Sequence, residues 1–127
     1  MKTCCVVVAV TLGSLAAAPG AAAVTDFVTP HGAIYCGVSH GEPPLALICW
    51  RPRDGLTLSM TQSGRVRRQL HPRNRGYHDP APGRVLRFGQ TWTLSGYWRC
   101  VSRTTGLTCT NRSGHGWRLS RRGSRLF

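Results

Sequence analysis

Acidic residues are scarce in this sequence. The chain has four carboxylates, at Asp26, Glu42, Asp54 and Asp79. Asp54 precedes Gly55 and Asp79 precedes Pro80, which is typical of turns. No two of them have a spacing that indicates an acid–base pair, so glycosidase-like catalysis has no support in the sequence.

Other catalytic and metal-binding patterns are also missing. The histidines are scattered, at His31, His40, His71, His78 and His115. There is no H-E-x-x-H metal motif and no G-x-S-x-G nucleophile elbow. Glycines flank His115, which predicts a turn that leads into a strand. We therefore expect a protein that is not an enzyme and needs no metal or cofactor. A small hydrolase stays as an alternative, and it would require a pocket that combines His115 with a carboxylate.

No apolar run reaches the roughly 20 residues that a membrane helix requires. Residues 4–15 form an apolar run after a positively charged start, and Pro19 interrupts the stretch. The small residues 21–23 then suit a signal peptidase. We expect residues 1–23 to be a cleaved signal peptide. Residues 24–127 are then one secreted domain without a transmembrane span, either retained at the cell envelope or released.

Sustained helical periodicity is absent, and short runs rich in β-branched or aromatic residues alternate with Gly and Pro. The expected strands are 33–38, 45–50, 56–60, 85–88, 91–94, 97–102, 107–110 and 117–120. The fold should therefore be all-β, a small disulfide-stapled antiparallel sandwich or open barrel. Residues 65–83 have few side chains suited to a core, and we expect a long surface loop there.

The predicted secreted domain has an even number of cysteines, at Cys36, Cys49, Cys100 and Cys109. In a short exported chain this indicates disulfides, and neither pair has the C-x-x-C spacing of a zinc site. Four cysteines allow three connectivities. Each of two predicted hairpins carries one pair on neighbouring strands, which favours Cys36–Cys49 and Cys100–Cys109.

The tryptophans have two interpretations. They are Trp50, Trp92, Trp98 and Trp117. Arginines follow three of them, at Arg51, Arg99 and Arg118, so the rings could form a stacking surface for sugars or bases. We favour a core position instead, because each lies in a predicted strand and a small domain needs large side chains to bury.

Positive charge is the strongest functional signal. The sixteen arginines outnumber the carboxylates by twelve in residues 24–127. Such charge attracts nucleic acid, wall polymers or anionic lipid, although a GC-rich genome or a need for solubility explains it equally simply. The candidate polyanion-binding residues are Arg65, Arg67, Arg68, Arg118, Arg121, Arg122 and Arg125. On one shared face they would bind phosphates in a salt-dependent manner. The alternative is an inhibitor or interaction domain that presents residues 65–83 to another exported protein.

Three blocks of residues carry a resemblance. The opening block has Phe27, Pro30, Gly32, Ile34 and Cys36, and the central block has Leu86, Phe88 and Gly89. The closing block has Cys100, Ser102, Gly106, Leu107, Cys109, Asn111, Gly114, His115, Gly116, Trp117, Leu119, Ser120, Leu126 and Phe127. With these blocks the chain resembles a family of small exported actinobacterial proteins of uncharacterised function. Ala33 and Trp117 depart from its Asn and Phe. The resemblance implies export, disulfides and a single β domain, and it supplies no catalytic residues.

Overall fold

The computed structural model describes residues 13, 25–39, 43–70 and 84–127. This part of the chain is built from short strands and one 3₁₀ turn, η1 (Pro30–Gly32). The strands are β1 (Asp26–Val28), β2 (Tyr35–Val38), β3 (Ala46–Arg51), β4 (Leu56–Thr61), β5 (Arg67–Leu70), β6 (Arg84–Val85), β7 (Thr91–Leu94), β8 (Trp98–Arg103), β9 (Gly106–Asn111), β10 (Gly116–Leu119) and β11 (Ser124–Leu126). The predicted all-β fold is confirmed.

The strands form two sheets. The first has six strands in the order β5-β4-β3-β2-β1-β6, and the second has five in the order β11-β10-β9-β8-β7. Neighbouring strands are antiparallel except for β1 and β6, which run parallel. The predicted antiparallel sandwich is therefore confirmed, with one short parallel pairing at the edge of the first sheet.

A single apolar core lies between the sheets. Alternate residues along each strand are buried, because successive side chains of a strand point to opposite faces. Phe27 of the first sheet packs on Trp92 of the second, with 5.1 Å between ring centroids. Trp98 and Trp117 are buried beside leucines from both sheets. Trp50 departs from the core prediction, since it is half-buried and pairs with Tyr35 at 5.7 Å.

Both predicted disulfides are present. Cys36 on β2 bonds to Cys49 on β3, and Cys100 on β8 bonds to Cys109 on β9. In each pair the two cysteines lie directly opposite each other in an antiparallel ladder. Each sheet therefore has one cross-strand bridge whose sulfur atoms are buried in the core.

Several boundaries differ from the predicted ones. Residues 65–83 are not one loop, because Arg67–Leu70 pairs with β4 as an edge strand whose side chains are all exposed. Exposure hides such a strand from hydrophobic periodicity, and the same holds for β11. Of the predicted strand 85–88 only Val85 lies in a strand, the two-residue β6, and a turn begins at Phe88. Residues 71–83 lie outside the described part of the chain.

The sandwich has two ends that matter for the site. One end, here called the η1 end, contains η1, Phe88 and the turns β3–β4, β8–β9 and β10–β11. Contacts between Arg51 and the β10–β11 turn join the sheets there. At the opposite end Trp98 and Asn111 donate hydrogen bonds to the Thr61 carbonyl.

No helix in the described ranges is long and apolar enough to cross a membrane. The predicted signal peptide, residues 1–23, lies outside these ranges apart from Gly13.

Candidate functional site

The solvent-facing side of the five-stranded sheet carries an unusual set of side chains, here called the Arg/Thr face. Its inward-facing alternates, such as Trp98, Cys100 and Trp117, fill the core, so their neighbours must point outward. The outward residues are Thr91, Thr93, Arg99, Val101, Arg103, Thr108, Thr110, Arg118 and Arg125. None of them is a carboxylate or an aromatic residue.

Pairing brings the arginines of this face close together. Arg118 on β10 and Arg125 on β11 are direct cross-strand partners, and Thr108 flanks Arg118 on β9. Like charges at such positions repel across roughly 5 Å and destabilise the pair slightly. Arg99 lies between Thr93 and Thr110. Three of the five strands, β8, β10 and β11, thus carry an arginine on this face, and β11 is an edge strand.

No described carboxylate neutralises the Arg/Thr face. Asp26 lies on the other sheet, beside Gly37. Asp54 forms the one ion pair found within the described ranges, and its partner is Arg51. The arginines of the face are all exposed, and their side chains form no ion pair with another described residue. The face therefore has a positive potential that an anionic partner would offset.

A cleft of about 680 Å³ opens at the η1 end. Its rim carries Arg103, Arg121 and Arg122, and His31 of η1 lines it as well. Ile34 and Leu107 contribute to the lining although both are buried, which places apolar surface at the bottom of the cleft. The volume lies in the range of small-molecule sites.

Arg51 holds the wall of this cleft. Its side chain is buried, and its Nη1 donates hydrogen bonds to the carbonyls of Ser120 and Gly123 at 2.7 and 3.0 Å. Nε and Nη2 donate to the two carboxylate oxygens of Asp54 at 2.9 and 2.7 Å. These hydrogen bonds lower the pKa of the Asp54 carboxyl from 3.8 to about 2. Sequence reasoning placed Arg51 only beside a tryptophan and missed this role.

The predicted arginine candidates do not share one surface. Arg118 and Arg125 lie on the Arg/Thr face, whereas Arg121 and Arg122 belong to the β10–β11 turn at the cleft. The others, Arg65, Arg67 and Arg68, lie in or next to β5 at the edge of the other sheet. Arg65 and Arg67 line a separate cleft of about 610 Å³ with Pro44 and Met60.

Sequence reasoning placed Arg99 only beside a tryptophan and did not single out Arg103, because its polyanion-binding candidates were taken from clusters of arginine. The signal that identifies them is the alternation of β8, in which buried Trp98, Cys100 and Ser102 leave the arginines between and after them exposed. The alternation alone does not say which strands are neighbours, and Arg99 and Arg118 share a face through the sheet order, with β9 between their strands.

The turn predicted at His115, which leads into a strand, is present. His115 lies in the β9–β10 turn, where its backbone N–H donates to Asn111 Oδ1 and its carbonyl accepts from the Asn111 N–H. A Cβ on Gly116 would overlap the Cys109 carbonyl, so the close approach of β9 and β10 requires glycine. Asp54 is at the η1 end, far along the sandwich from this turn. Among the described residues no group of three or more potential ligands is placed to hold a metal ion.

These features define a small disulfide-bonded β sandwich with a basic sheet face and a basic cleft. The chain belongs to a family of unknown function (DUF6636), whose model matches residues 58–127. The match covers the strands from β4 onward, including the whole Arg/Thr face. The resemblance to an uncharacterised family is confirmed at that level. Comparison with curated proteins and with solved structures gives no significant match.

Proposed function

We propose that this protein is an exported, non-enzymatic binding module whose Arg/Thr face engages an anionic polymer that carries its charge on phosphate groups. One observation carries the proposal: Arg99, Arg118 and Arg125 share an exposed sheet face on which neither of the described carboxylates lies. Repulsion between the paired Arg118 and Arg125 is a cost that a bound anion removes.

The chemistry of the face favours phosphate over bases or sugars. Guanidinium groups match phosphate oxygens with two parallel hydrogen bonds, and threonine hydroxyls add neutral donors between them. Single-stranded nucleic acid is usually held by bases that stack on aromatic rings. The rings of Trp92, Trp98 and Trp117 are turned into the core, so this face offers no such platform. Recognition would therefore depend on charge and hydrogen bonding to the polymer backbone.

Export and the absence of catalysis belong to the same proposal. Two disulfides suit an oxidising compartment outside the cytoplasm. The residues of the closing block resemble small exported actinobacterial proteins, which supports the same location. The two described carboxylates, Asp26 and Asp54, lie on the first sheet, and Asp54 is held by Arg51. Neither is placed beside a histidine of the described ranges by any hydrogen bond or ion pair.

The test is binding of the oxidised protein to poly(glycerol phosphate) over a salt series. The variant Arg99→Gln/Arg118→Gln/Arg125→Gln removes three charges from the Arg/Thr face. Arg65→Gln/Arg67→Gln/Arg68→Gln removes three charges from the edge of the other sheet and is the matched control. Polyglutamate of similar length tests whether carboxylates serve as well as phosphates, and anionic vesicles test a lipid surface.

We expect affinity to fall steeply with salt for the unmodified protein. Each lost phosphate contact lowers the slope of log affinity against log salt by about 0.7–0.9, so the face variant should lose about two units. The control variant should keep most of the slope. Equal losses in both variants would show that net charge alone drives binding. Absence of binding at low salt, or tighter binding to polyglutamate or to vesicles, would overturn the proposed phosphate polymer.

A further inference from the structure

The cleft at the η1 end combines positive charge with apolar surface. Arg103, Arg121 and Arg122 line it, and neither carboxylate of the described part of the chain does. Three guanidinium groups around one opening match the several oxygens of a phosphate monoester. Inorganic phosphate would occupy only a small part of a cavity of about 680 Å³. The volume therefore indicates a ligand with a larger body.

The rest of the lining indicates that the remainder of the ligand is apolar. Ala33 presents aliphatic surface to the cleft, and the buried core residues Ile34 and Leu107 underlie the cleft. Phe88 lines the same cleft although 49% of its surface is exposed. A large ring left half in water at the mouth of a cleft is a feature of binding sites, since a ligand removes that apolar surface from water.

The polar wall is built to stay in place. Arg51 fixes both ends of the β10–β11 turn through the Ser120 and Gly123 carbonyls. Arg53 donates a further hydrogen bond to the Arg121 carbonyl at 3.3 Å. On the facing wall His31 has φ of 63°, a left-handed conformation that is rare for histidine and that the neighbouring Thr29–Ile34 hydrogen bonds maintain. A site whose walls are fixed before binding loses less entropy when the ligand enters.

We propose that this cleft binds an amphiphilic organic phosphate, with the phosphate between Arg103, Arg121 and Arg122 and the apolar group against Phe88 and Ala33. The site shares only Arg103 with the Arg/Thr face, and it does not depend on the proposed function. The same chemistry occurs in a free single-chain phosphate and in the headgroup region of a phospholipid. The proposed ligand class requires both a phosphate group and an apolar group, joined in one molecule.

The experiment is a titration of the isotope-labelled, oxidised protein with octyl phosphate below its micelle concentration, followed by backbone amide shifts. Inorganic phosphate and octanol are titrated separately as the two halves of the ligand. Arg121→Gln/Arg122→Gln removes charge from the cleft, and Phe88→Ser removes its exposed ring. Arg65→Gln/Arg67→Gln, which makes the same charge change at the second cleft, is the control. Amide spectra of each variant show whether the fold is kept.

Octyl phosphate should bind at least tenfold more tightly than inorganic phosphate or octanol, with the largest shifts near Ile34, Gly106 and Ser120. The Arg121/Arg122 variant should lose at least tenfold in affinity and the Phe88 variant about threefold, while the control changes less than twofold. Inorganic phosphate binding as tightly as octyl phosphate, or equal losses in both arginine variants, would overturn the proposal. So would shifts confined to other parts of the chain. Binding to phosphatidic acid vesicles that octyl phosphate displaces would assign the lipid headgroup, and octyl phosphate binding without vesicle binding would assign the free amphiphile.

Discussion

Arg51 and Asp54 form a two-bond ion pair at the end of β3, with Nε–Oδ1 and Nη2–Oδ2 distances of 2.9 and 2.7 Å. The Arg51 side chain is 8% exposed and that of Asp54 is 42% exposed. Arg51 is thus the buried member of the pair and Asp54 the partly exposed one. Arg51 Nη1 also donates hydrogen bonds to two carbonyls of the β10–β11 turn. One buried arginine therefore ties the first sheet to the turn that presents Arg121 and Arg122.

Loss of Arg51 should destabilise the fold. Arg51→Met keeps an apolar stem of similar length but removes the charged donor from the Ser120 and Gly123 carbonyls, of which the Gly123 carbonyl still accepts from the Ser120 N–H. Hydrogen bonds to charged groups contribute about 1.5–3 kcal/mol each, and water recovers part of this at a partly exposed turn. We expect the free energy of unfolding to fall by about 2–4 kcal/mol, measured by urea denaturation of the oxidised protein.

Arg53→Met is the control for the Arg51 prediction. Arg53 is exposed and makes one long hydrogen bond to the Arg121 carbonyl. Exposed substitutions of this kind usually change stability by less than about 0.5 kcal/mol. Similar losses in the two variants would show that the β10–β11 turn does not depend on the buried guanidinium.

Asp54 gives stability a defined pH dependence. Its pKa is lowered in the folded protein, so the unfolded chain binds the proton more readily. The stabilisation is therefore complete above the unfolded pKa of about 3.9 and is lost as pH falls towards 2. Asp54→Asn should be less stable than the unmodified protein at pH 6, and the gap should close between about pH 4 and 2. Thermal denaturation at a series of pH values measures it.

Asp26→Asn controls for the change in net charge, since Asp26 forms no ion pair with another described residue. Its stability should follow the unmodified protein in parallel over the same pH range. If the Asp54→Asn gap instead persisted at pH 2, the carboxylate charge would not be the origin of the stabilisation.

β9 and β10 approach each other closely at Gly116, so adding one methyl group there should lower the free energy of unfolding. An alanine Cβ there would overlap the Cys109 carbonyl and lie 3.0 Å from the Thr110 Cα. Backbone atoms cannot move aside as a flexible side chain does, so Gly116→Ala should cost at least about 3 kcal/mol. Gly114 has φ of 81° and open space around it, so Gly114→Ala should cost only about 1 kcal/mol of backbone strain. Urea denaturation of both variants would contradict this account if Gly114→Ala proved the more costly.

The fold class and the disulfides were predictable because both depend on local signals. Cys36 and Cys49, like Cys100 and Cys109, lie on strands joined by short connections, and such hairpins have few possible registers. β5 and β11 were not predictable in this way. Their side chains are exposed on both faces, so the apolar alternation that marks a half-buried strand is missing.

The candidate site was only partly predictable for a different reason. Clusters of arginine in sequence suggested one surface, but strand alternation and the β10–β11 turn send Arg118 and Arg121 to different parts of the molecule. Arg99 joins Arg118 on the Arg/Thr face only through the order of β8, β9 and β10 in the sheet. That order is set by tertiary packing, which single-sequence patterns do not contain.

The two fully buried tryptophans of the second sheet should respond differently to the same substitution. Trp98 Nε1 donates to the Thr61 carbonyl across the sandwich at 3.3 Å, whereas Trp117 Nε1 is buried without a hydrogen-bond partner within the described ranges. Trp98→Phe removes ring volume and a bond between the sheets. Trp117→Phe removes similar volume but also a buried donor whose desolvation is uncompensated. We expect Trp98→Phe to cost about 1 kcal/mol more than Trp117→Phe in urea denaturation. A larger loss of unfolding free energy from Trp117→Phe would show that the Trp117 N–H has a hydrogen-bond partner in solution. It would also show that this core does not tolerate the Phe that the resembled family has at this position.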